Sequence, residues 1–162
     1  MIAQELGLPH GRVERVKLAG MLHDIGKVGV PDSILNKPDK LTDHEFDIIK
    51  THPGLGAQIL EHPSLADVRT WVAAHHERPD GNGYPSGMPC HEIPLEAKIL
   101  AVADTYEAMT SDRAYRPSIG PNAARGELEL HADTQFDREV VDAMLAILTR
   151  ERTRNERVPA RR

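Results

Sequence analysis

Two doublets set the chemistry open to this sequence. His23 and Asp24 are adjacent in the string HDIGK at the end of an apolar helical stretch, and His75 and His76 are adjacent at the end of another. His52 stands just before Pro53, which marks a further helix start. Imidazole binds divalent transition metals well. A single His-Asp pair is an ordinary cap or surface feature, but four imidazoles at element boundaries form a set. Asp104 extends it, because Ala101, Val102 and Ala103 flank it in the most apolar helix. Even a neutral polar group left without partners in such surroundings costs about 2–7 kcal/mol. Solvent or Arg113 would answer for Asp104 alone; with the histidines present, a metal ion answers for all.

Two carboxylates and four imidazoles do not saturate two six-coordinate ions. Positions remain for water and substrate, and a carboxylate such as Asp24 can bridge. Two ions about 3.5–4 Å apart lower the pKa of a water between them and clamp the transition state of an in-line attack on phosphorus. The mixed nitrogen and oxygen donors suit two divalent ions of iron or manganese over zinc. Cations accompany the ligands: Lys27 three residues after Asp24, Arg78 after the second doublet, and Arg113 and Arg116 beyond Asp104. Guanidinium forks match phosphate oxygens, so these are candidate phosphate contacts.

The elements that must position these residues are helices. Helical periodicity and capping signals recur along the chain, with no sustained alternation of the kind a half-buried strand shows. The expected class is all-α. Residues 1–7 read as the end of a helix, followed by a helix from Gly11 to Ile25 and a long ordered loop from Gly26 to Lys40. Thr42 and Glu45 have capping-box spacing, with Leu41 and Phe46 placed as a hydrophobic staple, which starts a helix over 43–51. Pro53 opens the next at a first-turn position. Ser64 is the expected cap of a helix from Leu65 to Glu77, with Leu65, Val68 and Val72 on one face. Pro94 opens a long helix to Ser111, its buried stripe formed by Leu95, Ile99, Val102 and Tyr106. Helices over 121–131 and 138–150 follow, then a basic tail over 151–162.

Composition narrows the function classes. The chain has 162 residues, the size of one ordinary domain, and residues 1–150 are read as that domain. Aromatics are only 4% of the chain, so its core must be aliphatic. A net charge of −5 offers no broad basic field for long nucleic acid. Cys90 stands alone, excluding an internal disulfide, and no apolar run is long enough for a signal segment or a membrane span; the expected location is cytoplasmic. His10, His44, His62, His91 and His131 fall outside the set and are assigned to surfaces or caps, and Trp71 to the core.

The strings HDIGKVGVPDSILNKP, HPGLGAQIL, HHERPDGNGYPSG and ILAVADTYEAMTSDRAYRP resemble the HD-GYP family in order, spacing and identity, from Met21 to Pro117. The segment HADTQFDREVVDAML is similar to that family's closing helix. The resemblance implies an HD-superfamily helical bundle of about six to seven helices and hydrolysis of cyclic di-GMP, to pGpG and onward to GMP, at a di- or trinuclear metal centre. By position it implies that His23, Asp24, His52, His75, His76 and Asp104 are ligands, with Asp24 bridging. Lys27 would contact the scissile phosphate or assist the leaving oxygen, and Arg113 and Arg116 would hold phosphates. Gly83, Tyr84 and Pro85 match the signature loop, where Tyr84 can donate to phosphate and Gly83 permits a tight turn.

Two departures bear on these expectations. Family members carry further ligands, a Glu and a His, on a helix before the point where this chain begins, and Glu5 and His10 stand in the wrong place to replace them. This gives a second expectation, a catalytically impaired domain that binds cyclic di-GMP or a protein. Pro79 replaces the aromatic that follows the HHER string, which alters how a guanine would stack. Family members also follow a sensor or receiver module, expected upstream of this sequence. The Leu and Val stripes serve internal packing and a homodimer contact equally well.

Overall fold

The computed structural model describes residues 1–112 and 117–156. Helices form wherever the apolar periodicity and the caps agree. Helix α1 (Ile2–Glu5) ends ahead of Gly7, whose φ of +73° reverses the chain into α2 (His10–Leu22). The expected loop after α2 is more ordered than its prolines suggest. It holds a 3-10 turn, Ile25–Gly29, and a short helix α3 (Asp32–Leu35), because Pro31 blocks continuation of the first and suits the start of the second.

Helix α4 (Asp43–Ile49) begins with the expected capping box: Thr42 Oγ1 accepts from the Glu45 amide at 3.3 Å, and Glu45 Oε2 accepts from the Thr42 amide at 2.7 Å. Helix α5 (His52–Ile59) follows at once, with Pro53 in its first turn. Ser64 does not cap the next helix. His62 Nδ1 instead accepts from the Ser64 amide at 3.2 Å, opening a 3-10 turn, Pro63–Leu65, ahead of α6 (Ala66–Ala74). That helix stops short of the expected Glu77.

Helices α7 (Leu95–Thr110), α8 (Pro121–Leu130) and α9 (Arg138–Glu156) complete the fold, with α9 running past Arg150 into the stretch expected to be tail. Among the described residues there is no strand, only an isolated bridge between Ala132 and Phe136, and no helix long and apolar enough to cross a membrane. Among the described residues the helices of seven residues or more are α2 and α4 to α9, within the six to seven expected.

Val13 and Val16 of α2, Val68 and Val72 of α6, Ile99 and Val102 of α7, Leu128 of α8 and Val140 of α9 share one aliphatic core, with Trp71 inside it. Leu95 and Tyr106, expected on the α7 stripe, are only partly buried against it. The wholly buried Glu96 on α7 pairs with Arg12 on α2 and so fixes the two helices to each other.

The 3-10 turn after α2 seats directly on the start of α5 through Gly26. A Cβ at Gly26 would lie 1.9 Å from the His52 carbonyl oxygen and 2.5 Å from the Gly56 amide nitrogen. Backbone rests on backbone there, which holds Asp24 beside His52. Gly26→Ala is expected to lower the unfolding free energy by about 1–3 kcal/mol or more, read from urea unfolding; a wild-type midpoint would show that the two segments are not in this contact.

Candidate metal centre

Ends of helices bring the candidate residues together. His23 caps the C-terminus of α2, Asp24 opens the 3-10 turn, His52 begins α5, His75 caps the C-terminus of α6, and Asp104 projects from the middle of α7. The last carbonyls of a helix have no intrahelical donor, and histidines take them here. His23 Nδ1 donates to the Gly20 carbonyl at 2.7 Å, His52 Nδ1 to Ile49 at 2.7 Å and His75 Nδ1 to Val72 at 2.6 Å. A carbonyl only accepts, so each Nδ1 carries the proton and each Nε2 presents a lone pair.

Those lone pairs face inward. His52 Nε2 and His75 Nε2 lie 3.3 Å apart, an arrangement of two acceptors that requires a cation or a proton between them. Burial disfavours the proton, holding His75 down to about 4 and His76 down to about 3. One ligand atom from each of His52, His75 and His76 lies within 4.8 Å of the others. His23 Nε2 and Asp24 Oδ1 are buried without a hydrogen-bond partner among the described residues. Buried polar atoms are normally satisfied. The donor set fits metal ions, with imidazoles held in the ligating tautomer by outer hydrogen bonds.

The carboxylates link the histidines. Asp24 Oδ1 is 3.4 Å from His52 Nε2, Asp24 Oδ2 is 3.5 Å from His23 Nε2, and Asp104 Oδ1 is 3.6 Å from His23 Nε2. Burial opposes ionisation of Asp104, but its contact with His23 and the nearby imidazoles bring its pKa down to about 2. Asp24 is likewise desolvated, and Lys27 Nζ, 2.6 Å from its Oδ2, keeps its pKa below the usual carboxylate value. The Asp104 contact raises His23 against the effect of burial.

The segment between α6 and α7 forms a wall beside these residues. The Tyr84 ring stacks on His76 with centroids 4.7 Å apart and 29° between planes, and Phe46 of α4 meets it edge-on at 6.5 Å. Gly83 does not take a left-handed conformation; it is needed because a Cβ would lie 2.3 Å from the Arg78 amide nitrogen. Pro85 follows Tyr84 through a cis peptide bond. Arg78 is engaged by Asp80 through two contacts of 2.6 and 3.0 Å. Arg113 and Arg116 lie outside the described residues. Beside this wall a cavity of about 440 Å³ runs between α4, the Tyr84 segment and α7, lined in part by Lys50, Arg78, Tyr84, Thr105 and Gln135.

Glu77 joins the site without having been among the candidates of the sequence: it is a buried carboxylate within the HHER string that accepts from the Ser86 amide at 2.7 Å and the Met88 amide at 2.9 Å. Its adjacency to His76 was the available signal. Of the histidines set aside, His10, His44 and His91 are exposed, His131 is half-buried beside Glu127, and His62 is the cap described above. Trp71 is buried, as expected, and Cys90 is exposed.

Metal binding gives a direct test. Manganese held at a hundredfold its Kd is expected to raise the unfolding free energy by about 2.7 kcal/mol, with most of that gain lost in His75→Ala. Urea unfolding with and without metal reads it, and an unchanged wild-type midpoint would argue against a metal centre.

Comparison with known proteins fits this geometry. The HD domain family model matches residues 1–140. The chain is 41% identical over 148 residues to the cyclic di-GMP phosphodiesterase response regulator RpfG of Xanthomonas campestris, covering 90% of this chain and 39% of that protein. It is 42% identical over 149 residues to a cyclic di-GMP phosphodiesterase of Thermotoga maritima, covering 90% and 40%. It is 36% identical over 147 residues to the 3'3'-cGAMP-specific phosphodiesterase 2 of Vibrio cholerae, covering 89% and 28%. The chain thus spans two fifths or less of each of these relatives. In fold it is similar to the crystal structure of a cyclic GMP-AMP specific phosphodiesterase of V. cholerae, with a TM-score of 0.67 at 16% identity over 93% of this chain and 42% of that one. From its helical architecture, its HDIGK turn and the match over residues 1–140, the chain belongs to the HD domain family.

Proposed function

We propose that this domain hydrolyses a cyclic dinucleotide, cyclic di-GMP first among them, at a centre built from His23, Asp24, His52, His75, His76 and Asp104. The observation that carries the reading is the inward set of imidazole lone pairs, with Asp24 placed between two of them. Its Oδ1 faces His52 at 3.4 Å and its Oδ2 faces His23 at 3.5 Å, which suits a carboxylate shared by two ions. Two divalent ions, iron or manganese, would be held by these six residues and would supply the positive charge that acidifies a water and draws electrons from phosphorus.

The chain's own residues supply the rest. A water oxygen forms a bond to phosphorus, the bond from phosphorus to ribose O3' breaks, and a proton ends on that O3'. Lys27, whose Nζ is 2.6 Å from Asp24 Oδ2, reaches the phosphate or the leaving oxygen from the same turn that carries Asp24. Tyr84 is suited to donate to a phosphate oxygen: burial and the Asp104 and Asp24 carboxylates hold its pKa above the ordinary phenol value, so it stays protonated. Arg113 and Arg116 add phosphate contacts, Arg78 does so by exchanging its two contacts with Asp80 for phosphate oxygens, and Gly83 and Pro85 shape the segment that presents Tyr84. The first cleavage opens the ring to pGpG and a second gives GMP. A sensor or receiver module joined to this domain would be in keeping with the length of the relatives.

One observation favours a second reading, a domain that binds cyclic di-GMP or a protein without turnover. Glu5 is paired with Arg150 and His10 is exposed at the start of α2, so neither adds to the six residues of the centre. Anaerobic turnover by protein loaded with iron or manganese decides between them. Wild type is expected to convert cyclic di-GMP to pGpG, and Asp24→Ala to lose at least a hundredfold, on the order of the loss when a charged transition-state contact is removed. Stoichiometric metal without turnover would leave the binding reading; turnover of 3'3'-cGAMP in preference would move the substrate within the class.

A further inference from the structure

We infer that Glu77 is a positioning residue for the metal centre, acting on His76 through Tyr84; this rests on the metal-centre reading above. The four histidines are not held alike. His23, His52 and His75 each donate Nδ1 to the carbonyl three residues back, whereas the His76 ring makes no hydrogen bond among the described residues. What fixes it is ring contact: Tyr84 stacks on it at 4.7 Å, and His75 lies against it with centroids 4.0 Å apart.

Tyr84 in turn lacks support from regular structure, since it lies in the irregular segment between α6 and α7. Two features close that segment back on itself. The Tyr84 amide donates to the His76 carbonyl at 3.1 Å. Beyond Tyr84, the Ser86 and Met88 amides donate to the two oxygens of Glu77 at 2.7 and 2.9 Å. Glu77 is only 3% exposed, and the absence of a Cβ at Gly83 lets the segment lie against its backbone. A buried carboxylate with one backbone amide on each oxygen is a rigid clamp. It fixes the chain on the far side of Tyr84 as the His76 carbonyl fixes it on the near side, leaving the phenol ring one place to rest. The clamp and the stack replace the outer hydrogen bond that the other three imidazoles have.

The test is a cycle between Glu77→Gln, whose amide nitrogen cannot accept an N–H, and Tyr84→Ala, each alone and combined. In the metal-free protein, the His76 ring resonances are expected to shift and broaden in Glu77→Gln while those of His23, His52 and His75 stay in place. In manganese titrations, Glu77→Gln is expected to weaken binding about tenfold, with no further loss when Tyr84 is already Ala, and Tyr84→Phe is expected to retain wild-type affinity. An unmoved His76 resonance, or the same loss in both Tyr84 backgrounds, would overturn the inference. A wild type without metal affinity would overturn the metal-centre reading, and the resonances would still decide what holds His76. Should Glu77→Gln not fold, Glu77→Asp, which keeps the charge on a shorter side chain, carries the same measurements.

Discussion

The centre depends on the donation of three imidazole Nδ1 protons to helix-end carbonyls at 2.6 to 2.7 Å. Each bond satisfies a carbonyl that its helix leaves free and, in the same act, chooses a tautomer and turns the ring. The consequence is electrostatic. Lone pairs that would repel are aimed at one another, and the gap between them suits a cation of higher charge than a proton. The aliphatic core has a part in that choice, since it desolvates His75 and His76 and so removes protonation as an alternative.

Helix ends are economical places for such a site. A side chain leaving the terminus of α2 or α6 has a free carbonyl within reach and no following turn to obstruct it. The single mid-helix member, Asp104, is the member most dependent on its neighbours, because its own helix offers it no donor and the nearest imidazole nitrogen, His23 Nε2 at 3.6 Å, presents a lone pair. The pairing of Glu96 with Arg12 bears on the same contact, since α2 carries His23 and α7 carries Asp104.

Much of this was legible in the sequence because it is written in residue type and spacing. The doublets fall at the ends of apolar stretches, and an Asp amid Ala and Val demands a counter-charge; both facts survive without coordinates, and the six residues do converge. The α4 cap was legible for the same reason, being a local hydrogen-bond exchange between Thr42 and Glu45. What escaped was non-local or steric. Nothing local tells that Glu77 will meet amides beyond a glycine-rich turn, or that Asp80 will take the fork of Arg78. Gly83 stands in a glycine-rich string that suggests a turn, whereas the constraint is the backbone passing behind it. Ser64 lost its capping role to His62 because the helix entry is a 3-10 turn, a difference of one hydrogen-bond spacing that composition does not encode. The length of α9 is hidden in the sequence because charged residues past Arg150 signal a solvated stretch equally in helix and tail.

The seating of Gly26 on α5 also determines which parts of the centre can yield. Two backbones in contact have no layer of side chains between them to shear or repack, so the turn bearing Asp24 and the helix bearing His52 move as one body. The opposite wall is held by side chains instead: two amides of the Tyr84 segment on Glu77, the Tyr84 ring on His76, and Met88 against Ala74, Ile93 and Ala97. The centre has an anvil and a jaw. The anvil is backbone on backbone, so the spacing of Asp24 and His52 is set by the chain itself, while the place of the jaw is set by the side chains that clamp it.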